Sequence, residues 1–368
     1  MIFRSVENTA TVDPTGINQK SIYTRGLWDK EVGELLTFFT SSAQNVSSKD
    51  YYYEVWSSAS LECSDEQMFS VAYGHVSGSG SANVGGNSND TPSRAIYSQY
   101  KLSCLDGNEN GFVINGSNGY TKTLTHFYVI NINRSKFGDK LDPGNFELNF
   151  AQLSGSGIPN NSHTGSNVKI ANNPTLITLI DDSNDASNSF EYSDASSPVK
   201  NIVSGTIGGG IYNSNDPHYY GLVYPDRGVI ILDADALNVS SSFNTVTGSQ
   251  VNGDNSYKLF TAISGASANK GEGFTARSVE IKNQHYVFVR IPNTEFNYSN
   301  NPTYVVQTTS STEKGKIREQ SFVEYPYTYI TTIGLYNDQR ELIAVGKLSK
   351  PVLKSPTTEL SITVKLEY

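Results

Sequence analysis

The chain has 368 residues, of which 37% are hydrophobic and only 17% charged, with 23 tyrosines and a formal charge of −9. That length can bury a large core, and the low Ala/Leu/Glu/Lys content beside abundant Ser, Asn, Thr, Gly and Tyr points to many strands and long polar loops, not to a helical protein. The negative charge and the lack of any Lys/Arg-rich block exclude general nucleic-acid or anionic-membrane binding, and two cysteines, Cys63 and Cys104, exclude a disulfide scaffold.

The first residues, Met-Ile-Phe-Arg-Ser-Val-Glu, lack the pattern of a secretion signal, and no apolar run reaches membrane-spanning length. Synthesis in a cytoplasm with both thiols reduced is the expectation, and a single Cys63–Cys104 bridge is the alternative.

In chain order, Leu27 to Leu36 reads as a short helix weakened by Gly33. Thr37 to Thr40, Tyr51 to Trp56 and Met68 to Tyr73 read as aromatic strands. Residues 74–91, rich in Gly, Ser and Asn, are expected to be a loop or surface arm that buries little. Pro92 to Leu105 follows as the clearest helix, with Pro at its start and Ile96, Tyr97, Tyr100 and Leu102 near helical spacing. Phe127 to Ile132 is a buried strand, Asn133 to Lys140 allows one helical turn, and Asp142-Pro-Gly-Asn145 is a turn before the alternating Phe146 to Phe150.

A second Gly/Ser/Asn-rich stretch from Ser154 to Val168 marks a boundary, which divides the chain into an N-terminal β-rich region, 1–155, and a C-terminal β domain, 156–368. Thr175 to Ile180 is a strand that ends in a solvated acidic loop from Asp181. Tyr219 to Tyr224 and Val229 to Leu232 flank Pro225-Asp-Arg-Gly228 as a hairpin, and Tyr257 to Ala262 and Ser278 to Ile291 are further strands. The C-terminus is the best-patterned part. Tyr329 to Leu348 forms a hairpin around Asn337 to Glu341, and in 360–368 Leu360, Ile362, Val364 and Leu366 alternate strictly with polar residues. The fold class is therefore mainly β, with antiparallel, sandwich-like sheets, long polar loops and one or two short helices.

Chemistry-bearing motifs are weak. Asp106 to Gly111 imitates half of a calcium loop, but Ser117 stands where a bidentate Glu is needed. Gly205 to Gly210 and Lys270 to Gly273 lack the Gly-Lys-Ser/Thr ending of a phosphate loop, so close backbone packing explains these glycines. The five histidines show no metal-ligand spacing, and no Gly-x-Ser-x-Gly elbow occurs. The reading is of no catalytic residue, no metal and no cofactor, although carboxylates distant in sequence can meet on a β scaffold as in glycosidases. The residues assigned to assembly are Tyr329, Ile333, Leu335, Tyr336, Leu342, Val345, Leu360, Ile362, Val364 and Leu366.

Several stretches together resemble a family of virion structural proteins from contractile-tailed phages, particularly those infecting marine cyanobacteria. They are Ser70 to Gly80 with Ala95 to Tyr100, Tyr128 to Arg134 with Lys140 to Asn145, Glu295 to Pro302, and Ile330 to Asn337 with Leu342 to Pro351. The C-terminal strands also look like those of some baseplate wedge and tail-collar fibre proteins. The resemblance implies a non-enzymatic subunit of a virion, in the contractile tail or baseplate, whose partners are other virion proteins in a homo- or hetero-oligomer. Two other roles stay open: a glycan-binding receptor module at the virion surface, and a neck or capsid-associated structural protein. A capsule-degrading enzyme ranks below all of these.

Overall fold

The computed structural model describes residues 17–28, 34–40, 51–58, 67–83, 90–154, 168–184, 199–247, 254–307 and 312–367. Among them are seventeen strands and five α-helices. The strands are β1 (Ile17–Gly26), β2 (Glu34–Leu35), β3 (Tyr52–Trp56), β4 (Gln67–His75), β5 (Val113–Asn115), β6 (Thr121–Thr123), β7 (His126–Ile132), β8 (Lys140–Ala151) and β9 (Leu176–Asp181). They continue as β10 (Lys200–Thr206), β11 (Gly210–Ile211), β12 (Tyr219–Tyr224), β13 (Val229–Asp233), β14 (Phe274–Ile291), β15 (Thr328–Tyr336), β16 (Leu342–Lys354) and β17 (Leu360–Glu367). The helices are α1 (Pro92–Cys104), α2 (Arg134–Phe137), α3 (Ala234–Ser241), α4 (Asp254–Lys270) and α5 (Gln320–Glu324). The protein is mainly β and antiparallel.

The chain divides into two compact units, one of residues 22–280 and one formed by 1–21 with 281–368. In the larger unit one sheet runs in the order β14, β8, β9, β10, β12, β13, β7, β4, β3. Cross-strand rows such as Phe69–Ile132, Val71–Ile130–Ile230–Val223 and Tyr73–Tyr128–Leu232 line one face. Leu237 of α3 and Leu259, Ala262 and Ile263 of α4 join the same cluster on that face. The opposite rows, including Ala72–Val129–Ile231–Leu222, pack with Tyr97, Tyr100 and Cys104 of α1 and with Phe112 and Ile114 at the β5–β6 hairpin. Both faces are therefore apolar, which explains the uninterrupted hydrophobic run in Val229 to Leu232. The sheet also curls: Phe69 of β4 lies 5.7 Å from Phe274 of β14, near the two ends of the strand order, and Trp28 touches both rings.

The boundary expected near residue 155 falls inside this unit, because β8 and β9 on either side of it pair from Glu147–Ile180 to Ala151–Leu176. Other expectations are corrected in the same unit. Glu34 and Leu35 of the expected first helix form β2 against β14, and residues 29–33 lie outside the described ones. Tyr257 to Ala262 is part of the 17-residue α4, not a strand; Leu259, Ala262, Ile263 and Ala266 recur at helical spacing and are buried. Asp142-Pro-Gly-Asn145 is no end-of-strand turn but an insertion within β8: Leu141 pairs Ser278 and Phe146 pairs Ala276, so four residues bulge out opposite Arg277.

In α1 the buried side is Ser93, Tyr97, Tyr100 and Cys104, while Leu102 is 84% exposed. The first part of the polar arm is not surplus surface. Gly78, Gly80 and Ser81 are buried, Ser81 bonds Ser93 at the start of α1, and a Cβ on Gly78 (φ +85°) would fall 2.0 Å from Thr91 Oγ1. Residues 84–89 of that arm lie outside the described ones.

In the smaller unit β17 pairs with the second half of β14, from Ile291–Leu360 to Gln284–Glu367, and β15 pairs with β16. The hairpin is longer than expected because β16 continues past Leu348 through Pro351 to Lys354. Pro351 is tolerated there since residues 348–351 sit in a register shift, between the pairs Thr332–Lys347 and Ile330–Val352, where no ladder N–H is required of it. Lys354 is fully buried and its ammonium donates to the Asn293 carbonyl, Asn297 Oδ1 and the Ser355 carbonyl. Among the described residues no helix is long and apolar enough to cross a membrane.

Candidate functional site

Three polar clusters in the larger unit carry titratable groups. In the first, Lys122 from β6 places its ammonium 2.5 Å from Asp233 Oδ2 and 3.0 Å from Asp235 Oδ2, and His126 Nε2 lies 3.2 Å from Asp235 Oδ1. Asp233 caps α3 by accepting from the Asp235 amide. Burial opposes the Lys122 charge, but the two carboxylates outweigh it and raise its pKa; burial likewise opposes the Asp235 charge, and Lys122 and His126 hold that carboxyl below its usual range. His75 stacks on His126 across the β4–β7 pair, with ring centroids 5.5 Å apart, and its Nδ1 accepts from the Ser77 amide. Burial, then His126, lowers the His75 pKa. The cluster ties β4, β6 and β7 to the start of α3. Its carboxylates are already shared between lysine, histidine and the helix cap, so it works as a clamp.

The second cluster overturns the expectation of a solvated acidic loop after Ile180. Asp181 and Asp182 are buried; Asp181 accepts from the Gly144 and Ser183 amides, and Asp182 from the Asn201 amide and side chain. Burial raises both carboxyl pKa values against these hydrogen bonds. The Gly144 amide comes from the β8 insertion, so Asp181 pins the bulge to the β9 edge. The third group is Lys258 of α4, fully buried, whose ammonium donates to the Asn244 carbonyl and whose pKa burial pulls down to about 8 against the pull of Asp254. It anchors the α3–α4 connection.

The other sequence candidates take structural forms. The Asp106 loop closes on itself, the Glu109 carboxylate accepting from the Asp106 amide. Gly205 is held against the Gly210 carbonyl, 2.5 Å from where a Cβ would stand, which is the close packing expected of that glycine run. Cys104 is a buried free thiol and Cys63 lies outside the described residues. Among the described residues no group of three His, Cys, Asp or Glu could hold a metal ion. A cavity of about 10 Å³ between Tyr51, Tyr73, Ser81, Ser93 and Asn255 has room for one water-sized molecule.

The smaller unit offers a surface instead. Leu335 pairs Ala344 and Ile333 pairs Gly346, so these four share a face of the hairpin; a Cβ on Gly346 would stand 4.0 Å from Val364 of β17. Val364 shares its side of β17 with Leu360, Ile362 and Leu366, all half-buried, while Ser361, Thr363, Lys365 and Glu367 are exposed. Six of the ten assembly residues, Ile333, Leu335, Leu360, Ile362, Val364 and Leu366, thus lie on the inner faces of two stacked strand pairs. The outer hairpin face carries others: Tyr336 and Leu342 lean over Gly334, whose cross-strand partner is Val345. Leu342 is 52% exposed, Val345 57% and Ile343, which the sequence reading passed over, 66%. Tyr329 faces Leu353 across the hairpin and is likewise exposed. Alternation alone could not separate inner from outer, since register shifts at Thr331 and Ile343 change the phase.

No family model, curated protein or solved structure matches the chain.

Proposed function

We propose that this chain is a non-enzymatic structural subunit that acts through subunit–subunit contacts in a phage virion, in the contractile tail or baseplate. The observation that carries the reading is the outward apolar face of the β15–β16 hairpin, where Leu342, Ile343 and Val345 are more than half exposed. Neighbouring apolar side chains held out on an ordered β surface suit a face that another protein covers. The titratable clusters support the same reading, because each is spent on holding strands and helices together. The virion assignment rests on the resemblance of the C-terminal strands to phage structural proteins.

Particles made without this protein are expected to show incomplete tails in negative-stain images. Normal, infectious particles lacking it would overturn the proposal. A second reading, a glycan-binding module, is favoured by Tyr325 and Tyr327, whose rings lie parallel at 6.3 Å with Tyr325 62% exposed. Binding of the purified chain on a glycan array, abolished by Tyr325→Ala, would establish it, and a silent array removes it.

A further inference from the structure

The lysine that anchors the α3–α4 connection also has the surroundings of a reactive amine. Asp254, Asn255 and Lys258 share one side of the first turn of α4, at spacings of three and four residues that make side chains neighbours. All three are buried: Asp254 is 2% exposed, Asn255 3% and Lys258 0%. The Lys258 ammonium donates to the Asn244 carbonyl at 2.7 Å and to Asn255 Oδ1 at 3.4 Å, one bond from the amide carbon. Val246 holds that amide in place, its N–H donating to Oδ1 at 3.0 Å and its carbonyl accepting from Nδ2 at 2.9 Å. A fixed N–H on the amide oxygen polarises the carbonyl and stands where negative charge grows in an addition to Cγ. Burial brings the Lys258 pKa down to about 8, so near pH 7 roughly a tenth of it is free amine, against less than a thousandth for an ordinary lysine. Asp254 pulls the other way with its charge, as a carboxylate close to the amine does.

We infer that Lys258 and Asn255 join into a side-chain amide by a single reaction within the folded chain. The lone pair of the Lys258 amine forms a bond to Asn255 Cγ, the Cγ–Nδ2 bond breaks, and Nδ2 leaves as ammonia. Asp254 relays a proton from the attacking nitrogen to the departing one, and the proton that made Lys258 an ammonium leaves with the ammonia or stays on Asp254. Nothing is oxidised or reduced. The product keeps Oδ1 on the Val246 N–H and offers its own N–H to the Asn244 carbonyl, while a buried positive charge disappears, which favours the reaction. The chain reacts once, on itself. The bond staples the first turn of α4, which packs on β8, β4 and β3, and leaves the structural-subunit reading unchanged.

Intact-mass spectrometry of the full-length protein, as purified and after incubation below its unfolding temperature, tests the bond. A loss of about 17 Da, one ammonia, is expected. Trypsin does not cut after an acylated lysine, so digestion of the denatured chain should yield 228–270 as one peptide, with the loss located between residues 255 and 258. Succinimide formation at Asn252-Gly253 removes the same mass but leaves Lys258 cleavable, so that 228–258 carries the loss. Lys258→Arg is expected to keep the full mass, and Asp254→Asn to slow the loss at least about tenfold. The wild-type mass and peptide decide even where a variant does not fold.

Full mass after incubation with cleavage at Lys258, or a loss located at Asn252, would overturn the inference. The same loss between residues 255 and 258 in Lys258→Arg would overturn it too, because no lysine amine is then present. Conversion of Asp254→Asn at the wild-type rate would overturn the proton relay.

Discussion

His75 shows how one side chain links packing to pH. Its Nδ1 accepts from the Ser77 amide and its ring stacks on His126 of β7, which is held by Asp235 of α3 and Thr125, with Lys122 of β6 beyond and Tyr73 on its own strand. Protonation at Nδ1 would set a donor against a donor. Because folding lowers this pKa, the unfolded chain holds the proton at pH values where the folded chain has lost it. The stability so gained is present above the ordinary imidazole range, near pH 6.5, and is lost as pH falls through the folded value. The melting temperature is expected to drop between about pH 7 and 5.5, and His75→Asn, which keeps an acceptor for Ser77 but does not titrate, should flatten that part of the profile. An unchanged slope in the variant would assign the effect elsewhere. Gly221 makes a different demand: at φ +156° a Cβ would stand 1.9 Å from the Ile231 carbonyl oxygen of the paired strand. Gly221→Ala is expected to destabilise the protein by about 2–4 kcal/mol, read as a lower urea midpoint at constant m-value. Neither residue could be singled out from the sequence, since the partner of each lies on another strand.

At the scale of elements, hydrophobic period was readable wherever one face of a strand or helix is buried. β17 alternates as its sequence does, and the β12–β13 hairpin closes at Pro225 to Gly228. The misreadings share a cause, which is a local signal overruled by the neighbour. Tyr257 to Ala262 looks β-rich alone, but its burial against β8 and β4 follows a helical face. Asp142-Pro-Gly-Asn145 has turn chemistry, and it does turn, yet β14 resumes pairing on both sides of it. β17 also carries a test. Removing Leu360 to Tyr368 strips β14 of its partner from Gln284 to Ile291 and leaves the inner hairpin face, with Ile333 and Leu335, uncovered. The truncated chain is expected to be insoluble, or soluble with residues 281–354 rapidly cut by trypsin, because uncovered strand edges and apolar faces do not persist in water. A truncation as protease-resistant as the full chain would show that β17 is dispensable.

On the scale of the whole molecule, composition by itself determined the class: few charged residues, many tyrosines and repeated short apolar runs make a mainly β protein, and alternation alone marked 360–367 as a strand. Composition also determined the net charge of −9. Only the tertiary structure decided the division near Glu280, because β14 is one continuous strand in sequence and its two halves differ in their partners, β8 for one and β17 for the other. The same holds for the acidic and histidine clusters, in which Asp181 meets Gly144 and His75 meets His126 from distant positions. Period along the chain reports which side of an element avoids water. Which element covers that side depends on long-range pairing, and among the described residues Leu342, Ile343 and Val345 on the outer hairpin face stay more than half exposed.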